Sequence, residues 1–248
     1  MLDMTRDKEA GAGAAQAAKP NVIRHYVLAT HDLKAVSSQL QDFLQVDQGF
    51  RHDMSAALGF TNEMMMIGQT MVEIIQPVAP DHRVHAWLAE RGGDGGFMIV
   101  LQTFDAEAFR ARTTAEKLRL ARDMQFRGQD MIQLDYKRFG TRFETYQYSL
   151  PDGWWGDPVG RSYAKSKVAA EIVGAEVAVE NPREIATQIG GLFQSPVKGD
   201  TVTFVDKQVR FVDAKPPWRG LVALDLKALA RKRRGDHRVI CGVDWRLV

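Results

Sequence analysis

The sequence predicts an α+β protein of three βαβββ modules, in which helices cover the outer faces of mixed sheets. Three times along the chain, a strand leads to an acidic or amide residue that can cap a helix, and an amphipathic helix follows. The caps are Asp32, Asp105 and Asn181, at offsets of 73 and 76 residues. The first two modules also end alike, because Glu73 and Glu144 each start a Glu-x-x-Gln segment and lie 71 residues apart. Self-similarity at a nearly fixed period indicates a repeated supersecondary unit.

The first module is predicted to begin with strand 22–30 and a helix capped by Asp32. The helix buries a stripe with helical spacing, formed by Leu33, Val36, Leu40, Phe43 and Leu44. Segments 60–68 and 70–76 are predicted strands joined by a tight turn, and Pro77 ends the second of them. The predicted element order is therefore strand, helix, strand, strand, strand.

The second module follows a glycine-rich joint at 92–96. We predict a strand at 97–103 and then a helix capped by Asp105. The inward-facing residues of this helix are Ala108, Phe109 and Leu118. Later strands are predicted at 131–134 and 143–150.

The third module begins with a strand at 173–179. Asn181 is its helix cap, and Pro182 suits the first helical position, where its missing N–H costs nothing. The buried stripe of this helix consists of Ile185, Ile189, Leu192 and Phe193. Further strands are predicted at 202–205, 208–212, 221–226 and 239–247.

Composition limits the protein classes that fit. The chain has 248 residues, of which 45% are hydrophobic, which suffices for one large core or two modest ones. A net charge of +2 does not favour nucleic acid as a partner, and no apolar run reaches the length of a membrane-spanning helix. The one cysteine, Cys241, excludes an internal disulfide framework and is typical of a cytoplasmic protein.

The domain organisation follows from the modules. Residues 1–20 are rich in Ala, Gly and charge and lack the apolar middle of a secretory signal, so we predict a disordered tail. A domain of two paired modules is predicted at 21–160, and a third, half-site module at 161–248.

The repeated units resemble a known superfamily. Modules with a strand that ends in Glu-(apolar)-(apolar)-Gln-Pro, as at 73–77, resemble those of the vicinal oxygen chelate superfamily. This superfamily includes glyoxalase, bleomycin-resistance and dioxygenase-like proteins. The match is nearest to the methylmalonyl-CoA epimerase-like branch, whose linking stretch resembles residues 72–77 followed by 84–92. The resemblance covers 22–158 and extends to the third module. It implies that two modules pair so that their sheets form a half-open cup.

The resemblance also implies a set of ligand positions. In metal-using members, the first and last strands of each module give one ligand apiece, and these positions fall on His25, Glu73, Met98 and Glu144. Met98 lies seven residues before its helix cap, as His25 does. Imidazole and carboxylates suit divalent Mn, Fe, Co, Ni or Zn, whereas a thioether is a soft ligand that these ions rarely take. The implied divalent metal site is thus His25, Glu73 and Glu144, with one position lost to Met98.

Each candidate also has a purely structural interpretation, and the sequence alone leaves both open. His25 fits a hydrogen-bonded core histidine. Glu73 is flanked by apolar residues and must face either solvent or a polar partner, because unpaired burial is costly. Glu144 lies in an alternating strand, where a carboxylate that points outward is the simplest explanation.

Two functions follow from these residues. The first is a metal-dependent lyase, isomerase or epimerase that acts on a small oxygenated or acyl substrate through an enolate-like intermediate. Glu73 and Glu144 are its predicted catalytic acid–base residues. The second is a metal-free binding or sequestering protein whose cup, lined by Met98, Tyr146 and Trp154, with Met64 or Met66, holds an apolar or aromatic ligand.

One geometric criterion separates the two functions. If His25 and Glu73 converge on one point, the metal site keeps its support at the level of residues.

A third module without a counterpart would leave a sheet face unpaired, so we predict a homodimer in which two such modules meet. The other predicted partner is the small-molecule substrate or ligand itself.

Overall fold

The computed structural model describes residues 19–46, 49–51, 53–54, 58–148, 165–215 and 220–248. The N-terminal part contains β1 (Val22–Ala29), α1 (Leu33–Leu44), β2 (Asp53–Met54), β3 (Phe60–Ile67), β4 (Thr70–Pro77), α2 (Arg83–Arg91), β5 (Gly95–Gln102), α3 (Ala106–Ala115), β6 (Leu120–Phe126), β7 (Gln129–Leu134), α4 (Tyr136–Phe139) and β8 (Arg142–Gln147). The C-terminal part contains β9 (Ala169–Val179), α5 (Pro182–Phe193), β10 (Val197–Lys198), β11 (Thr201–Phe204), β12 (Lys207–Asp213), β13 (Gly220–Ala228), a 3-10 turn (Arg231–Arg233), β14 (His237–Ile240) and β15 (Val243–Leu247).

Three modules follow the predicted order of strand, helix and three strands. They begin at β1, β5 and β9, and each helix follows the first strand of its module. All the described strands belong to one mixed sheet, which branches at β5 and at β13. The predicted α+β class and its βαβββ modules are confirmed.

The first two modules are related by a local twofold arrangement. Strands β1 and β5 run antiparallel, with Tyr26 opposite Ile99 at the centre of the pairing. His25 lies opposite Val100 and Val27 lies opposite Met98, so exchanging the two modules reproduces the same pairs. Within each module the first strand pairs in parallel with the last, β1 with β4 and β5 with β8. This arrangement brings the last strands of both modules to one concave surface.

The helix caps form as the sequence predicts in the first two modules. The side chains of Asp32 and Asp105 each accept a hydrogen bond from the backbone N–H three residues further on. Asn181 makes no such side-chain bond, and Pro182 opens that helix with no N–H to satisfy. Helix α3 of the second module ends at Ala115, before the predicted inward residue Leu118, which lies in the following loop and packs against the core.

Two faces of the sheet have different neighbours. Alternate residues of β1, including Tyr26 and Leu28, join the main core beneath the helices. The intervening residues Val27 and Ala29 belong to a smaller apolar cluster on the opposite, concave face. The strand periodicity therefore places His25 on the concave face, away from the helices. None of the described helices has the length and apolar character required to cross a bilayer.

The C-terminal region contains more than the third predicted module. After β12, strand β13 pairs antiparallel with β9 and in parallel with β15. This repeats the relation of β5 to β1 and β8, with a 3-10 turn in place of a helix, so β13–β15 form a fourth, shorter module that pairs with the third. The argument for a homodimer assumed an unpaired module, and β13 supplies the counterpart from within the chain. The homodimer itself stays a prediction.

Candidate active site

A cavity of about 570 Å³ opens on the concave face of the first two modules, and we call it the cup. Its lining includes five of the residues singled out from the sequence: His25, Glu73, Met98, Glu144 and Tyr146. Arg142 joins them from the start of β8. Trp154, the remaining predicted pocket residue, lies outside the described residues.

Strand register shows that the four predicted ligand positions are structurally equivalent in pairs. Val27 pairs with Glu73 between β1 and β4, and Val100 pairs with Glu144 between β5 and β8. His25 and Met98 stand two residues before these valines, in equivalent places of their strands. Residues that occupy matching positions in the sequence repeat therefore also occupy equivalent positions in the two modules.

His25 and Glu73 meet inside the cup. His25 Nε2 lies 3.6 Å from Glu73 Oε2, and both side chains are largely buried. Burial lowers the pKa of His25 to about 3, so the imidazole is uncharged near neutral pH and the contact is not a salt bridge. Burial raises the pKa of Glu73, against the effect of a hydrogen bond from Asn62. The criterion of convergence is met for this pair.

Glu144 is a buried carboxyl group poised to titrate near neutral pH. Its residue is 5% exposed, so the interpretation of an outward-pointing side chain is wrong. Burial raises the pKa of Glu144 to about 7, the Gln133 amide opposes this, and the charge of Glu73 adds to it. Arg142 and Arg122 lower the same pKa by their positive charges. Both protonation states of Glu144 are therefore populated near pH 7.

A side-chain amide from the neighbouring strand holds each carboxyl group. Asn62 on β3 donates from Nδ2 to Glu73 Oε1 at 2.6 Å. Gln133 on β7 donates from Nε2 to Glu144 Oε2. These amides fix the orientation of the carboxyl groups without the charge that a salt bridge would bring.

Arg142 is the functional candidate that sequence reasoning missed. Its Nη1 donates to Gln133 Oε1 at 3.1 Å, and its guanidinium lies 5.2 Å from the ring centre of Phe97 and 5.8 Å from that of Tyr136. Burial lowers its pKa, and the charge of Glu144 opposes this change. Period-two alternation from Glu144 would have placed residue 142 on the same face, which is the signal that could have found it.

The donor set for a metal ion is incomplete. Among the described residues, no group of three or more His, Cys, Asp or Glu side chains is placed to hold an ion. His25 and Glu73 supply a converging pair, and Met98 occupies the position equivalent to His25. As the side chains stand, they fit two-point coordination only, so the predicted divalent metal stays a prediction.

The methionines divide between two environments. Met98 lines the cup. Met64 and Met66 instead pack with Met71 and Phe50 in a separate apolar cluster. The described lining of the cup therefore contains Met98 with Met124 and Met131, in place of the Met64 or Met66 of the ligand-sequestering hypothesis.

Comparison with known proteins shows which solved structures share this fold. No family model matches this chain, and no curated protein matches it either. A solved structure of a hypothetical protein from Staphylococcus aureus is similar over 92% of this chain and 99% of its own, with 15% identity and a TM-score of 0.64. A mutant of 4-hydroxymandelate synthase from Streptomyces coelicolor is similar over 84% of this chain and 71% of its own, with 16% identity and a TM-score of 0.63.

A third similarity is confined to part of the chain. Methylmalonyl-CoA epimerase from Streptomyces coelicolor aligns with 53% of this chain and 100% of its own, at 20% identity and a TM-score of 0.46. The two similarities that span most of the chain cover both pairs of modules. The chain therefore has the vicinal oxygen chelate fold that its sequence resemblance predicts.

Proposed function

We propose that the cup is the active site of an isomerase or epimerase that moves a proton to and from a carbon beside a carbonyl group. One observation carries this proposal. Glu73 and Glu144 are buried carboxyl groups on equivalent strands, both with raised pKa, and they line one cavity in which the charge of one affects the other. Paired carboxyl groups in such an environment can take the roles of base and acid at once.

The proton transfer uses these two groups in turn. An ionised carboxylate removes a proton from the carbon, and the electrons of the broken C–H bond pass into an enolate whose charge rests on the carbonyl oxygen. The other carboxyl group, still protonated, returns a proton to that carbon or to a neighbouring atom. Return to the opposite face of the same carbon gives an epimer, and return elsewhere gives an isomer. Because both forms of Glu144 are populated near neutral pH, it suits either role.

Metal binding is a separate part of the proposal. His25 and Glu73, with Glu144, are the residues that would hold a divalent ion, which when bound polarises substrate oxygens as a Lewis acid. The steps above do not depend on it. Elemental analysis of protein purified without chelator, beside a His25→Ala/Glu73→Ala variant, tests this part: about one equivalent of metal, lost in the variant, supports it. No metal after reconstitution with the candidate ions would remove it.

The alternative of an apolar binding protein has less support. The described lining of the cup includes three carboxyl groups, two imidazoles and three guanidinium groups, from Glu73, Asp81, Glu144, His25, His82, Arg83, Arg122 and Arg142. Burying such groups against an apolar ligand would cost free energy that a purely apolar lining avoids. These polar groups favour a substrate with oxygen atoms.

Solvent exchange tests the proposed reaction directly. Small 2-oxo acids and acyl thioesters are incubated with the protein in D₂O, and loss of the proton signal beside the carbonyl is followed by NMR. We expect exchange with at least one compound, reduced at least about a hundredfold in Glu144→Gln and in Glu73→Gln. Glu107→Gln, at an exposed position of α3, is the control and should exchange like the parent protein. Exchange that survives in both cup variants would refute the assignment of these residues.

A further inference from the structure

The guanidinium of Arg142 is held in place on three sides. Its Nη1 edge is taken by Gln133 Oε1, and the aromatic rings of Phe97 and Tyr136 lie within cation–π distance. These contacts fix the plane of the group while leaving its charge uncompensated by direct pairing. Among the described residues, no carboxylate lies within 4.0 Å of an Arg142 nitrogen.

The remaining edge of Arg142 has the donors that a carboxylate binds. Nε is buried and has no hydrogen-bond partner in the described part of the chain, although a buried N–H is normally paired. Nη2, on the same edge, likewise donates no hydrogen bond to a described residue. The Nε–Nη2 edge of arginine matches the two oxygens of a carboxylate in a bidentate pair. An anion at this edge would accept a hydrogen bond from Nε, a buried donor that has no partner among the described residues.

A second cation shares the cavity. Arg122 on β6 lines the cup, and its side chain forms no ion pair or hydrogen bond with a described residue. Its charge, like that of Arg142, acts on Glu144 across the cavity. These two guanidinium groups, which have no direct carboxylate partner among the described residues, place positive charge in the cup that can attract an anionic ligand.

We propose that the substrate carries a carboxylate or an equivalent planar anionic group, and that Arg142 binds it through Nε and Nη2. The proposal deepens the proposed function and rests on it, since it names the substrate class of the same cup. Arg142 stands two residues before Glu144 on the same strand face, which separates the two backbone positions by about 7 Å and places an anchored anion beside the proton-transfer group. A substrate with its anionic group close to the exchanging carbon fits this spacing. Arg142 is thus a specificity-determining residue.

Pyruvate and pyruvamide form a matched pair of probes, because they differ only in a carboxylate replaced by a neutral carboxamide. Binding of each is measured by calorimetry at millimolar concentration. We expect pyruvate to bind at least about tenfold more tightly than pyruvamide, and Arg142→Met to lose about tenfold to a hundredfold of pyruvate affinity. Arg142→Lys keeps the positive charge but lacks the two parallel N–H donors of the guanidinium, so it should lose an intermediate amount of pyruvate affinity. The exposed Arg231→Met has the same change in net charge and should bind pyruvate normally.

Three results would overturn the proposal: equal binding of the two probes, unchanged pyruvate affinity in Arg142→Met, or no pyruvate binding by the parent protein. The comparison of probes needs no mutation, so it holds even if Arg142→Met folds poorly. Failure of the proposed function gives a different pattern, in which pyruvate binds through Arg142 but no compound exchanges its proton. Exchange that depends on Glu144, together with binding that ignores Arg142, would refute the anion anchor alone.

Discussion

At the scale of single residues, Glu144 shows how burial sets chemistry. The apolar strands around it penalise the charged carboxylate, and the charge of Glu73 adds to that penalty. The amide of Gln133 and two arginines offset only part of it. The result is a carboxyl group whose protonation changes near neutral pH, where a proton-transfer group is most effective.

This shift predicts a pH dependence of stability. Because the folded-state pKa of Glu144 is raised from 4.5 to about 7, the native state binds more protons than the unfolded state between these values. The free energy of unfolding therefore falls as pH rises from about 5 to 8, by about 3 kcal/mol from this residue. In Glu144→Gln this fall should be absent, so urea denaturation should show the variant gaining relative stability toward pH 8. Glu107→Gln should keep the pH dependence of the parent protein's unfolding free energy. If Glu144→Gln kept it too, that result would contradict the raised pKa of Glu144.

The predictability of the site also differs from residue to residue. His25, Glu73 and Glu144 were found because repeat offsets and the family resemblance marked their positions. Asn62, Gln133 and Arg142 have no such mark, since polar residues in a strand face either solvent or a cavity with the same periodicity. Their role depends on which neighbouring strand lies beside them, and that is fixed by tertiary pairing.

At the scale of elements, the Glu-x-x-Gln segment has a second purpose. Gln76 accepts a hydrogen bond from the N–H of Leu33, the first residue of α1, and Gln147 does the same for Ala106 in α3. Each glutamine thus ties the last strand of its module to the start of the helix. One segment orients a cup carboxyl group on one face and caps a helix on the other, because these residues lie three apart in a strand.

Loss of these caps should be measurable. We expect Gln76→Ala and Gln147→Ala each to lower the free energy of unfolding by about 1 kcal/mol, because each leaves a helix N–H without its acceptor. Chemical denaturation measures this, with the exposed Gln39→Ala of α1 as the control, expected within about 0.5 kcal/mol of the parent. Equal stability of all three variants would show that these bonds contribute nothing.

Element prediction succeeded where the patterns are strong. The first strands and the helix caps carry clear periodicity and capping signals. Strand β6 was missed because its sequence, Leu-Ala-Arg-Asp-Met-Gln-Phe, is half exposed and shows no alternation of apolar and polar residues. Its pairing with β7 forms the strand, which local sequence does not specify.

At the scale of the whole molecule, the two pairs of modules meet where β5 touches β13. Leu221 pairs with Gly96, and a Cβ at Gly96 would lie 2.4 Å from the Leu221 carbonyl oxygen. This close approach requires glycine on β5. The same strand, β5, carries Met98 into the cup, so the contact between the halves supports the wall of the site.

Substitution at this contact should weaken the whole protein. We expect Gly96→Ala to cost at least about 2 kcal/mol of unfolding free energy, because backbone atoms of two central strands would have to move apart. Gly191→Ala is a matched control in α5, where an added Cβ meets nothing within 4 Å, and it should stabilise by about 0.5–1 kcal/mol. Gly96→Ala with parent stability would mean that the two halves are not packed as described.

The measurement that tests the cup most directly is a titration of its two carboxyl groups by ¹³C NMR with labelled glutamate. Spectra of Glu144→Gln and Glu73→Gln assign the two signals by difference. We expect the Glu144 carboxyl to titrate near pH 7 in the parent protein. In Glu73→Gln its midpoint should move down, because the charge of Glu73 is one cause of the shift. A Glu144 midpoint near the ordinary value of 4.5, unmoved by Glu73→Gln, would contradict a coupled pair of buried carboxyl groups facing one cavity.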